Sequence, residues 1–549
     1  MTQGGGDRPL TPPEGNAQRL WRALGLLAYC AIALGPIAAL CLQSLQRVAS
    51  GHLNWLQLMV PQGRRLTLLL RTLGLALSVS LTGMALGLFI ATVLWRWRSG
   101  GRTYLRWLLL ALVPLPGYLH ALGWGALVNL VDRAFTARGL APIGFNGWAA
   151  SWWVQMMALL PIAALLSLIG LESVDRDLIA SARLMRSDTH TFLRVVLPLA
   201  APILLAGGAF LFLLSLVDYS VPSLFQYNVY ALEVFAEFTA SNQAGRAFLL
   251  SVPIVLVALI LLLSTQSGLR TVALGPPWRE GRLELRFRWP RPIQWLQALA
   301  MGILLAQVCV PLLSEVLLAG GWRQTLEAGL AARHEIGFTL WSAAAAALLA
   351  LPIGAALAKQ LERAGSAEPL WWLITAAPLV MPASLVGIGL IVIWNRACLP
   401  PVYGSPWMPV LAALARFSPV AAIAILAQRR RLDSSLIDAA MIYQKGAMQT
   451  LLRVRIPLLS PGLLAAAGVV LVLAAGELGA TLLVAPPGRA TLTMRIYNYL
   501  HYGASETVAS LGLLMSICAL FCAGAGLLGF GMWSRLTSGR WRRADDLGS

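Results

Sequence analysis

The sequence predicts an all-α integral membrane protein, with about twelve transmembrane helices arranged as two tandem six-helix repeats. Three observations carry this. The 549 residues are 58% apolar and only 12% charged, too hydrophobic for a soluble globule with a charged surface. Twelve apolar stretches are long enough to cross a bilayer, because a hydrocarbon core about 30 Å thick needs about 20 residues rising about 1.5 Å each. Finally, two polar islands, residues 171–206 and 429–465, nearly repeat one another.

The spans expected in the first half are 20–45, 66–95, 106–131, 147–170, 199–226 and 246–270. Those in the second are 292–318, 337–360, 369–396, 407–428, 458–485 and 506–533. Residues 1–19 form a polar tail, 271–291 an arginine-rich linker and 536–549 a basic tail. The first apolar run is long enough to span and lacks the short core and cleavage site of a signal peptide, so it reads as an anchor. Most of the 42 Lys and Arg residues then fall on one side, in 95–102, the two islands, the linker and the last tail. By the positive-inside rule that side is cytoplasmic and holds both termini.

The duplication reaches beyond the islands. Thr72 opens the second span as Thr339 opens the eighth, Leu115-Pro116 matches Met381-Pro382, and Pro161 matches Pro419. These matches divide the chain into a first repeat, 20–270, and a second, 292–535. Six spans per copy give both copies one orientation, so both islands face the cytoplasm.

Composition excludes several functions. The net charge of +19 is spread over short loops and builds no basic face, so no nucleic-acid partner is expected. The six cysteines form no Cys-x-x-Cys pair and the five histidines show no two-ligand spacing, so no metal site is expected and the cysteines read as small apolar residues. A P-loop needs Gly-Lys, yet the only lysines, Lys359 and Lys445, follow Ala358 and Gln444. ATP is therefore expected to bind elsewhere, and no cofactor is assigned to this chain.

Within the second island, Asp433 or Ser434 can cap a helix with Leu436, Ile437, Ala440 and Met441 on one face, ended by Gly446. A second short helix leads to Pro457. The first island repeats the plan, with Asp175 or Asp177 as cap, Leu178, Ile179 and Ala182 as the face, and Ser187 or Asp188 opening the second piece. Such an exposed amphipathic pair suits a groove on another protein.

These islands resemble the cytoplasmic coupling loops of permease subunits of binding-protein-dependent ABC importers, whose motif reads Glu-Ala-Ala, three residues, Gly, nine residues, Ile-x-Leu-Pro. The second loop, 429–456, follows it as Asp438-Ala439-Ala440, Gln444 at the glycine position beside Lys445 and Gly446, then Val454-x-Ile456-Pro457. The first, 171–197, departs further, with Ala180-Ser181-Ala182, Arg186 at the glycine position, and one residue fewer before Leu197-Pro198. Two six-span copies in one polypeptide look like the ferric-iron-type branch, with thiamine and phosphonate-type relatives of similar layout. The resemblance implies a MetI-like inner-membrane permease that is not itself an enzyme. It implies as partners two cytoplasmic ATP-binding subunits, an extracytoplasmic solute-binding protein and the lipid bilayer, with ferric iron as the expected cargo. The alternative class is an ion-coupled secondary transporter, against which the paired loops count.

Asp218 and Glu477 occupy equivalent positions at an offset of 259 residues. An acid at bilayer depth is expensive and should face a partner or a watery path. The pair can line a translocation pathway or make packing hydrogen bonds to Ser, Thr or Tyr. Arg71, Arg416 and Glu315 are expected to snorkel toward the interface.

Overall fold

The computed structural model describes residues 16–96, 116–274, 287–396, 402–430, 432, 447–501, 506–521 and 524. Its principal helices are α1 (Asn16–Tyr29), α2 (Gly35–Ala49), α3 (Arg64–Arg96), α4 (Gly117–Thr136), α5 (Gly147–Glu172), α6 (Leu197–Val217) and α7 (Ala244–Leu274). The second half contributes α8 (Arg291–Leu318), α9 (Arg333–Arg363), α10 (Glu368–Val380), α11 (Ala383–Trp394), α12 (Trp407–Arg429) and α13 (Ile456–Ala475), followed by α14 (Glu506–Phe521). No strand occurs among the described residues, as expected where backbone groups cannot turn to water. The protein is a multi-pass membrane protein of the all-α class.

Nine helices among the described residues are long and apolar enough to cross a membrane. Three of the twelve expected stretches fall short for separate reasons. The first part of the third, residues 106–115, lies outside the described residues. The described helix of the twelfth, Glu506–Phe521, falls in the shorter apolar class. The ninth is broken, bending by 97° between Val380 and Ala383. Pro382 supplies the break: it lacks an N–H for the helix before it, and its extended ψ of 137° caps α11. Pro116, its match in the first half, caps α4 with ψ 145°.

Two expected spans are shorter than read. The fifth stops at Val217 rather than 226, and the eleventh at Ala475 rather than 485. At each stop stands the acid of the duplicated pair, so Asp218 and Glu477 sit at helix breaks and not inside helices. The connections left between the expected spans at 227–245 and 486–505 each hold a helix, Tyr230–Ser241 and Leu492–His501.

Close contacts recur at matching positions in the two halves. Thr72 donates to the Leu68 carbonyl (2.7 Å) and accepts the Tyr230 N–H (2.8 Å). Thr339 donates to the Glu335 carbonyl (2.7 Å) and accepts the Leu492 N–H (2.8 Å). Each buried hydroxyl thus satisfies an N–H at the start of the short helix crossing above it, a group that would otherwise be orphaned. A Cβ on Gly87 would meet the Ala163 backbone at 2.6 Å, and one on Gly354 the Ala421 backbone at 3.0 Å. Small residues let these helix pairs, α3 with α5 and α9 with α12, approach backbone to backbone.

The first helices are exchanged between halves. α1 packs on α9, the turn Cys30–Leu34 on α12, and α2 on α11 as well as on α7 of its own half, whereas α8 packs on α3, α4 and α5. Both exchanges cross at a Pro–Gly contact: a Cβ on Gly389 would lie 2.7 Å from Pro36, and one on Gly123 would lie 2.5 Å from Pro311. Tyr29 secures the first crossing by donating to the Ile374 and Thr375 carbonyls at 3.0 and 2.9 Å.

Candidate functional site

The first island begins where Asp175 accepts the Asp177 N–H (2.9 Å), starting the helix Arg176–Met185. Of the two acids considered as cap, Asp175 is the one that acts. Ile179 is fully buried against the bundle. Leu178, expected on the same face, is instead exposed, and Leu184 and Met185 are 90% and 84% exposed. The helix therefore has two apolar faces, one used internally and one open. Ala180 and Ala182 are half-buried between them, and Ser181 bonds back to the Asp177 carbonyl at 2.8 Å.

Arg186 stands where the family motif has glycine. Its φ of −145° and ψ of 160° are extended, a conformation open to any residue. The substitution costs this loop no backbone strain.

From there the two loops share one path. Asp188–Thr191 forms a four-residue helix, Phe192–Val196 a π turn, and α6 starts with Pro198 in its first turn. Ala447–Thr450, Leu451–Arg455 and α13 with Pro457 repeat it. Proline fits a first turn because its missing N–H would be unpaired there anyway. The remaining residues singled out in the second loop, Asp438, Ala439, Ala440, Gln444, Lys445 and Gly446, lie outside the described residues.

The linker end contributes to the first loop, which sequence reasoning missed. Phe287 and Trp289 are buried beside Phe192 and Trp95, with ring centroids 5.0 Å apart for Phe192–Trp289 and 5.2 Å for Trp95–Phe287. The Arg183 guanidinium lies 5.0 Å over the Phe287 ring. Asp188 joins the pieces, accepting from Arg183 Nε (2.7 Å) and Nη2 (3.2 Å) and from the Arg288 N–H (2.5 Å). Partial burial raises the Asp188 pKa, but the Arg288 N–H and the Arg183 guanidinium outweigh it and hold the carboxyl below its ordinary value. A depressed carboxyl stabilises the docked loop above the ordinary carboxylate pKa of about 3.9, and loses that effect as pH falls through the lowered value. Protection from trypsin after Arg183 and Arg288 should therefore be flat from about pH 8 to 6. Asp188→Asn should speed both cleavages at least tenfold at neutral pH, since hydrogen bonds to charged groups are worth about 1.5–3 kcal/mol.

The duplicated acids meet different partners. Asp218 accepts from Gln155 Nε2 (2.8 Å), the Ser220 N–H (2.9 Å) and the Ser220 hydroxyl (2.6 Å), and Gln155 in turn accepts from Ser215 (2.6 Å). This is a hydrogen-bonded packing network of neutral donors. Glu477, its side chain 5% exposed, pairs with Arg416 and accepts the Ala480 N–H at 2.8 Å. Arg416 thus does not snorkel: it stands nine residues inside α12, roughly 14 Å from its start, and turns inward because a buried carboxylate awaits it. The two breaks touch across the halves, since Tyr219 donates to the Gly479 carbonyl (3.4 Å) and the Pro116 ring approaches Gly476.

Glu315 does not snorkel either. It is fully buried and accepts from Ser516 at 3.0 Å. Arg71 remains exposed, its guanidinium 6.0 Å from the Tyr227 ring.

No family model matches the chain. Over 171 residues it is 27% identical to the putative 2-aminoethylphosphonate transport system permease protein PhnV of Salmonella typhimurium, an alignment covering 31% of this chain. The chain spans 64% of that relative's length. Over 223 residues it is 25% identical to the putrescine transport system permease protein PotI of Escherichia coli, covering 39% of this chain and 75% of that one. Over 199 residues it is 23% identical to the Fe(3+)-transport system permease protein FbpB 2 of Haemophilus influenzae, covering 36% and 37%. These relatives are transport permeases, and the chain is similar to permeases of the binding-protein-dependent ABC type, the class that the duplicated loops resemble.

Proposed function

We propose that the chain is the membrane-spanning permease subunit of an ATP-driven importer, lying in the inner membrane with both termini cytoplasmic. The reading rests chiefly on the first coupling loop, which ends a packed bundle with an exposed apolar helix face of Leu178, Leu184 and Met185. Exposed leucine and methionine beside solvent fit a surface covered by a partner. Two cytoplasmic ATP-binding subunits are the proposed partners, one per loop. In the second loop Asp438, Ala439, Ala440, Gln444, Lys445, Gly446 and Pro457 would make the equivalent contact, as Ala180, Ser181, Ala182, Arg186 and Pro198 do in the first. ATP is placed on those subunits and no cofactor on this chain. A solute-binding protein would deliver cargo to the opposite end, where the helices Tyr230–Ser241 and Leu492–His501 stand. The matched threonine, glycine and π-turn contacts support a division into repeats 20–270 and 292–535. Asp218 and Glu477, at breaks that touch between those repeats, are the proposed gate.

Ferric iron is the proposed cargo. Alignments of similar length fill 64% and 75% of the phosphonate and putrescine relatives but only 37% of the ferric-iron one. The last is therefore a chain of about this length, which supports a shared layout with two halves in one polypeptide.

The test is co-purification from native membranes. The wild type should carry two ATP-binding subunits per chain. Leu184→Asp with Met185→Asp should remove one, and adding Asp438→Lys with Gly446→Pro should remove both. If the wild type carries none, and the reconstituted chain alone moves solute down an ion gradient, the chain is a secondary transporter instead.

A further inference from the structure

At the end of the bundle opposite the islands, the starts of α9 and α12 and the segment before Leu492–His501 border a cavity of about 410 Å³ that is widely open to the surface. That volume lies within the roughly 300–1,000 Å³ of small-molecule sites. Arg333, His334 and Arg489 line it together with Phe338, Trp341 and Pro406. No acidic residue is among its lining groups. This is unusual for that end of the molecule, where Arg64 pairs with Glu233, Arg65 and Arg246 with Glu237, and Arg495 with Glu335. Among the described residues Arg333 has only His334 as a polar side-chain neighbour, at 3.4 Å, and no acid pairs with Arg489. Arg333 and Arg489 are both exposed and line one open cavity with no carboxylate among its lining groups, so an anion between them would meet two guanidinium groups at once.

The wall beside these cations is aromatic. Phe338 and Trp341 stack with centroids 6.1 Å apart, and Trp407 meets Trp341 edge-on at 5.2 Å. Trp341 is 41% exposed, and Leu348, two turns further along the same face of α9, is 66% exposed. The cavity therefore opens where an apolar, lipid-facing ridge ends in an aromatic collar, the depth at which headgroups lie. Both bounding helices also start here, so their N-terminal N–H groups add positive potential.

The site is not a by-product of the duplication. At an offset of 267 residues the first half has Leu66, Thr67, Arg71 and Gly74 in place of Arg333, His334, Phe338 and Trp341. Three of these four positions lack the charge or ring that builds the cavity.

We infer that this cavity binds the phosphate of an anionic phospholipid headgroup, with Arg333 and Arg489 holding the phosphate oxygens and Trp341 and Phe338 packing on the glycerol and upper acyl chain. Guanidinium forks match phosphate geometry, and the exposed ridge along α9 gives the chains a track that a free anion would not need. The inference requires only that the chain sits in a bilayer and stands apart from the importer reading.

The test uses the purified full chain in detergent, titrated with phosphatidylglycerol or phosphatidylcholine and read by native mass spectrometry as bound lipid per chain. Wild type should favour phosphatidylglycerol at least tenfold. Arg333→Gln with Arg489→Gln should lower that affinity at least tenfold, while Arg323→Gln, an exposed arginine at the same end, should leave it unchanged. Should the double variant fail to fold, Arg489→Gln alone, on an exposed loop, carries the comparison with a several-fold loss. Inorganic phosphate and 2-aminoethylphosphonate at millimolar concentration should not displace the lipid. The inference is overturned if the variants bind as wild type does, if both lipids bind alike, or if either free anion displaces phosphatidylglycerol, which would make the cavity a soluble-anion site.

Discussion

Arg416→Met should destabilise the protein by about 3–5 kcal/mol, because it leaves Glu477 as an unpaired carboxylate in the interior. That is a large part of the roughly 5–15 kcal/mol by which folded proteins exceed their unfolded states. The decisive comparison is the double variant Arg416→Met with Glu477→Gln. Glutamine keeps an oxygen for the Ala480 N–H, now accepted at 2.8 Å, and removes the charge. Stability should then return to within about 1.5 kcal/mol of wild type, since replacing both members of a buried pair is often neutral. Denaturant titration of wild type, Arg416→Met, Glu477→Gln and the double variant in one detergent closes the cycle. A single Arg416→Met variant as stable as wild type would mean that the pair is solvated and opens to water. That outcome would favour a hydrated path at this break over a buried latch.

The two acids show how far sequence reading went. Their equivalence is visible because both halves keep an acid in the same apolar frame, and the cost of burying one says that partners must exist. Which partners is a property of the fold. Gln155 is 63 residues before Asp218, and Arg416 is 61 before Glu477. Those pairs face each other only because the helices end at Val217 and Ala475 and the chain turns. An arginine in a span is expected to snorkel to an interface, but a helix break can bring a charge to meet Arg416 at any depth. The proline matches mark the duplication, and Pro382 and Pro116 also cap the helices that follow them. The role of the linker was hidden by its arginines. Phe287 and Trp289, two large aromatics in a basic segment, were the available signal, since such side chains seek burial. The first loop could be followed to its cap and path, whereas its second apolar face needed three dimensions: Leu178 and Ile179 are neighbours in sequence and point to opposite environments.

Gly123→Ala should weaken the fold by at least about 1–3 kcal/mol, the usual range for overpacking, and Gly123→Leu should prevent stable assembly. The reason is the partner atom. A Cβ on Gly123 would lie 2.5 Å from Pro311 Cα and 3.1 Å from its Cβ, and neither can rotate aside as a flexible side-chain tip would. α4 and α8 would have to separate, which also stretches the 3.0 Å bond from the Ser314 hydroxyl to the Gly123 carbonyl. Gly125, two residues along the same helix, has nothing within 4 Å of an added Cβ. Gly125→Ala should therefore stabilise by about 0.4–1 kcal/mol through the unfolded chain. The pair separates steric crossing from glycine's helix-weakening effect, because both positions share one helix and one bilayer. The same argument holds at Gly389, where the added atom would meet Pro36 at 2.7 Å. Thermal unfolding in detergent should rank Gly125→Ala above wild type, with Gly123→Ala and Gly389→Ala below it by similar margins. Equal effects at 123 and 389 are required if the two first helices lock the halves reciprocally. A loss at only one would mean that a single exchanged helix holds them and the other rests on its neighbour without bearing on stability.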